Sequence, residues 1–137
     1  MKRLLSEYID SLILEVKKGG KFSNAVFYRA YDGQPAPSEI QGFSVCVGIG
    51  KSERKKKYLS IYRTRRRIAL NAELEFRVSA PADAGGLAVF CERLEKALRH
   101  AGGDSVTNSI ISAPAYNADI NAVYRVITLY ARIDTDE

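Results

Sequence analysis

Few residues in this chain have the types and spacing that chemistry needs. His100 is the only imidazole, and acyl transfer requires a nucleophile, a base and an orienting partner together. No Gly-x-Ser-x-Gly turn accompanies it. His100 falls near the end of a helical pattern, where a solvated side chain facing the negative end of the helix dipole is the simpler role. Gly48-Ile49-Gly50-Lys51-Ser52 matches part of a phosphate loop, yet the first glycine is missing at the required spacing, and a hairpin rather than a helix follows. Glu73 and Glu75 share one strand face, a pattern that usually means two solvated carboxylates. Cys46 and Cys91 are the only cysteines, and with one histidine they do not make a structural zinc site. Cys46 lies in an apolar strand pattern and Cys91 on the apolar face of a helix, so both are expected as small buried hydrophobes rather than a disulfide. No catalytic centre, cofactor or metal is expected.

What remains is charge. The net charge of +5 is unevenly spread. Residues 51–67 hold Lys51, Arg54, Lys55, Lys56, Lys57, Arg63, Arg65, Arg66 and Arg67 against Glu53, a local +8 that leaves −3 for the rest. A mildly acidic body with one strongly basic segment points to a local contact with something negative, not to a nucleic-acid-coating surface. Two readings stay open: phosphate binding with Tyr58 and Tyr62 stacking on bases, or docking on an acidic protein surface. A third, plainer reading is a solvated hairpin whose charges keep a sheet edge from aggregating.

The elements that must position this segment follow from periodicity. Residues 68–80 alternate Ile68, Leu70, Ala72, Leu74, Phe76, Val78, Ala80 with Asn71, Glu73, Glu75, Arg77, Ser79, which puts an apolar and a charged face on one strand. At roughly 3.3 Å per residue it would span about 40 Å, longer than a compact core needs. Upstream, Phe43, Val45, Val47 and Ile49 alternate as a second strand, with Gly48 and Gly50 marking a bulge or exit. The basic segment between them is expected to be the distal part of a long β-hairpin with its tip near residues 52–57, mobile until a partner neutralises it.

Leu4, Leu5, Tyr8, Ile9, Leu12, Ile13 and Val16 predict an amphipathic helix over residues 2–18, stopped by Gly19-Gly20. Residues 25–31 read as a strand, followed by a proline-broken loop. A second helix is expected over Leu87, Phe90, Cys91, Leu94, Leu98 and Ala101, with Asp83 as its N-cap and Glu92–Lys96 and Glu95–Arg99 pairs on its wet face. A short strand over residues 105–113, a polar turn over 116–121, a strand over 122–133 and a frayed acidic tail complete the chain. The length of 137 residues suits one domain, and 46% apolar with 27% charged residues is a globular balance. No apolar run reaches the roughly 18 residues that cross a bilayer. Acids at Glu7, Asp10 and Glu15 argue against a signal peptide, so folding in cytoplasm is expected.

This order, helix, strand, strand, basic hairpin into a long strand, helix, strand, strand, resembles the phage tail terminator (tail-completion) family. The likeness is carried by the opening helix from Leu4 to Val16. It is carried also by Val45-Cys46-Val47-Gly48-Ile49-Gly50 through the hairpin to Phe76-Arg77-Val78-Ser79-Ala80-Pro81, and by the ending Tyr116-Asn117-Ala118-Asp119-Ile120-Asn121-Ala122-Val123-Tyr124-Arg125-Val126-Ile127-Thr128-Leu129. The resemblance implies an α+β fold, a mostly antiparallel sheet packed against two helices with a long protruding basic β-hairpin. It also implies a hexameric ring that caps a tail tube in siphophage, myophage or tailocin-like particles. The partners implied are the tube protein, sheath or head-connector proteins, and DNA in the lumen where the particle carries a genome. The cations named above, chosen by charge density, are the expected contact residues, with Tyr58, Tyr62, Glu73 and Glu75 at the ring interface. The alternatives are a nucleic-acid-binding module and another tail or neck joining protein.

Overall fold

The computed structural model describes residues 5–34, 42–58, 66–83 and 85–136, with residues 54–58, 66–69 and 134–136 described by backbone alone. The elements are α1 (Leu5–Lys18), β1 (Ala25–Arg29), β2 (Phe43–Tyr58), β3 (Arg66–Pro81), α2 (Leu87–Gly102), β4 (Val106–Ile111), β5 (Ala115–Asn117) and β6 (Ala122–Asp136). They form an α+β fold: one six-stranded sheet in the order β1-β2-β3-β6-β4, with β5 also on β6, and two helices. All strand pairs are antiparallel except β1 with β2, which run parallel.

Alternation decides which face is buried. Leu70, Ala72, Leu74, Phe76, Val78 and Ala80 of β3 are at most 5% exposed. They join Val45 and Val47 of β2 and Ile127, Leu129, Ala131 and Ile133 of β6 in one apolar layer. Both helices close that same layer: Tyr8, Ile9, Leu12, Ile13 and Val16 from α1, and Leu87, Phe90, Cys91, Leu94 and Leu98 from α2. Phe90 stacks on Phe43 at 4.2 Å between ring centroids and meets Phe22 edge-on at 5.5 Å, pinning the start of α2 to the base of β2. At its far end the Tyr8 hydroxyl hydrogen-bonds Ser105, and Ser105 Oγ donates to the Gly102 carbonyl, so α1 is tied to the exit of α2.

Several boundaries differ from the sequence pattern for local reasons. β1 stops at Arg29, and Ala30–Asp32 form a 3-10 turn that the Gly33 N–H closes onto the Ala30 carbonyl. Tyr31 there donates to Asp10 of α1, which also pairs with Arg29 Nε at 3.0 Å. Burial, then the Asp10 carboxylate, pushes the Tyr31 phenol up to about 12. The N-cap of α2 is not Asp83 but Gly86, whose φ of 90° favours a residue without Cβ and whose carbonyl accepts the Phe90 N–H at 2.9 Å. Arg99 Nη1 donates to Ser109 Oγ at 3.2 Å, tying α2 to β4 instead of serving a helical ion pair with Glu95. Part of the expected polar turn at 116–121 is strand, because Ala115–Asn117 pairs with Ala122–Tyr124. Asn121 at φ 48° turns the corner, its Oδ1 accepting from the Tyr116 hydroxyl at 2.6 Å. The backbone of the expected frayed tail stays in β6 to Asp136, opposite Arg67.

Candidate assembly surface

The β2–β3 ladder continues past the core and carries the basic segment with it. Ser52, Glu53, Arg54, Lys55, Lys56, Lys57 and Tyr58 pair with Ala72, Asn71, Leu70, Ala69, Ile68, Arg67 and Arg66. The tip expected at residues 52–57 is therefore ladder. Leu59, Ser60, Ile61, Tyr62, Arg63, Thr64 and Arg65 lie outside the described residues.

A one-residue register shift between Ile49 and Ser52 makes Gly50 and Lys51 a β-bulge. It occurs where the two expected glutamates stand. A Cβ on Gly50 would lie 2.9 Å from Glu75 Oε1 and 3.3 Å from Glu73 Oε2, so both carboxylates lean over the bulge and would have to turn aside for a larger residue. The bulge also changes parity. Before it, odd residues of β2 share the buried face. After it, by register, Arg54 and Lys56 fall with Leu70 and Ile68, while Lys55 and Lys57 fall with Ala69 and Arg67. The cations are thus divided between both faces of the ribbon. Side-chain contacts for Arg54, Lys55, Lys56, Lys57, Tyr58, Arg66 and Arg67 lie outside what is described.

Pairing partners run out on both sides of this ribbon. β1 reaches only to Val47, so residues 48–58 of β2 have no described strand on their outer side. β4 reaches only to Ala131, so residues 132–136 of β6 likewise have none. The first edge carries Lys51, Arg54, Lys55, Lys56 and Lys57 against Glu53, and the second carries Asp134 and Asp136 against Arg132. One three-stranded ribbon, β2-β3-β6, therefore presents a basic edge and an acidic edge on opposite sides.

The sheet face away from the helices forms a second feature, one that charge density did not single out. Its floor is made of small side chains, Ser44, Cys46 and Gly48 on β2 and Ser79 on β3, while Arg77, Tyr124 and Val126 stand around them. Ser44 lies opposite Ser79, and Cys46 opposite Arg77. Cys46, expected in the core, is instead half-buried on this face, because the buried face of β2 takes Val45 and Val47. Burial raises its thiol pKa, with Ser44 and Arg77 opposing the shift. The signal in the sequence was the run of small residues at alternate positions of β2, Ser44, Cys46 and Gly48.

Among the described residues no cluster of three or more His, Cys, Asp or Glu is arranged to hold a metal, and no helix is long and apolar enough to cross a membrane. His100 is exposed, at the end of α2. No known family model and no curated protein matches this chain.

Proposed function

We propose that this chain is a structural ring subunit that caps the end of a phage or phage-like tail tube, halting tube growth and forming the joint to a head connector or sheath. The observation that carries the reading is the ribbon whose two edges, of opposite charge, have no strand partner among the described residues. Strand pairing of the basic edge of one copy with the acidic edge of the next is a head-to-tail contact, and such contacts close into rings when the rotation per subunit permits. A sheet face that carries neither α1 nor α2, and a hairpin that outgrows its core, suit a subunit that meets neighbours on several sides. The tail-terminator resemblance supplies the place of such a ring in a particle.

Native mass spectrometry at low and high salt, with and without isolated tube ends, tests the reading. A closed oligomer, hexameric by the resemblance, is expected. Replacement of Lys55, Lys56 and Lys57 by serine should abolish the ring and release tails of irregular length. A protein that stays monomeric or dimeric and binds DNA with an affinity that falls steeply as salt rises overturns it in favour of a nucleic-acid-binding module.

A further inference from the structure

We infer that the hollow on the helix-free face of the sheet is a binding site for a single carboxylate carried on a short apolar stem. The inference is independent of any role in a ring. The hollow encloses about 270 Å³ and is floored by Ser44, Cys46, Gly48 and Ser79. That volume lies below the roughly 300–1,000 Å³ of pockets for drug-sized ligands and suits a small acid.

Its lining holds three donors, Ser44, Ser79 and Arg77, with the Glu75 carboxylate and Asn117 also beside it. Ser44 is 5% exposed, and its Oγ is fully buried with no well-aligned hydrogen-bond partner, the neighbouring Cys46 thiol being the group it faces. A buried hydroxyl left unpaired costs about 1–3 kcal/mol, so such groups are rare unless something else completes them. Ser79, directly opposite, is 6% exposed. Above them the Arg77 guanidinium lies 4.9 Å from the Tyr124 ring centroid, stacked on the aromatic face with its N–H edge available. The acid nearest along the strand does not compete for it. Glu75 Oε1 is turned to the Gly50 bulge, where a Cβ would meet it at 2.9 Å. A planar carboxylate seated against Arg77 and Ser79 answers two of these donors, and a rotation of the Ser44 side chain towards the hollow supplies the third.

The remaining walls set the rest of the ligand. Tyr124, Val126 and Ile120 offer apolar surface to a stem. Glu75 at the rim places a second negative charge at a disadvantage, so a monocarboxylate is preferred to a dicarboxylate or to phosphate. The carboxylate could arrive on a free small acid or on a glutamate side chain of a docking protein, and the two share one chemistry.

Titration of the isotopically labelled protein with butyrate, followed by NMR, tests the assignment. Saturable shifts at residues 44–46, 77–79 and 124–126 are expected, with n-butanol and succinate weaker. Arg77→Gln should weaken butyrate by about 10- to 100-fold, the value of a hydrogen-bonded charge. Ser44→Ala should weaken it severalfold while raising Tm, since it removes an unsatisfied buried group; a purely structural serine would move Tm alone. A blocked peptide with one central glutamate separates the sources: tighter binding than butyrate marks a protein-borne carboxylate, weaker binding a free acid. Equal responses to butyrate and butanol, or no saturable shift with either butyrate or the peptide, overturn the site.

Discussion

Cys46 and Cys91 separate the two faces of the sheet at the level of single atoms. Cys46 is half-buried on the helix-free side, whereas Cys91 is 0% exposed under the helices. Iodoacetamide should therefore modify Cys46 and leave Cys91 intact in the folded protein, as counted by intact mass before and after denaturation. Burial pushes the Cys91 thiol up to about 11 from an ordinary 9, with Arg125 opposing. The folded state thus favours the protonated thiol. That contribution is complete below pH 9 and is lost as pH rises through 11. A plot of Tm against pH should fall over this interval, and fall less steeply in Cys91→Ala. Gly102 is constrained differently. A Cβ there would run into Val106 Cγ2 and come within 3.1 Å of the Tyr8 hydroxyl. Gly102→Ala should therefore destabilise by about 1–3 kcal/mol in urea unfolding, the usual range for overpacking.

At the scale of elements, the ribbon and the core are separable. Leu70 of β3 and Ile133 of β6 are the outermost buried rungs described, each 5% exposed. Replacing residues 55–69 by Asn-Gly, a two-residue turn that closes the Arg54–Leu70 pair, should leave the helix-packed layer intact. Cooperative melting by circular dichroism within a few degrees of the full chain is expected, together with loss of any oligomer. A non-cooperative melt would show that the ribbon belongs to the core. This division was partly legible in the sequence. The alternation of residues 68–80 and the apolar stripes of both helices placed the core correctly, because strict periodicity of two and of three to four encodes a buried face directly. The hairpin tip was misplaced because a run of Lys and Arg reads as a turn, while strand pairing is decided by the partner, here residues 66–72. The parallel pairing of β1 with β2 and the short strand β5 left no local mark at all. Of the helix-free face, only the small residues at alternate positions hinted at a hollow. The burial of the Ser44 hydroxyl is visible only once Ser79 and Tyr124 are brought beside it from distant parts of the chain.

For the whole molecule, the two edges without a described strand partner make the proposed assembly a matter of charge as well as of backbone. The proposed ring contact should weaken with salt, since exposed charges are screened beyond about 8 Å at physiological ionic strength. Exchanging Asp134 and Asp136 for lysine should block self-association by itself. Combined with Lys55 and Lys56 changed to aspartate, it should restore association, a reversal readable by native mass. The sheet order also bears on when that association can begin. Arg66–Pro81 meets its hairpin mate across a short stretch of chain, but it meets Ala122–Asp136 only after α2, β4 and β5 have been traversed. Distant pairings of this kind form late and slowly. A nascent chain therefore displays its cationic strand well before its own anionic one, so under the proposed ring contact two subunits still on the ribosome do not begin a head-to-tail chain with each other.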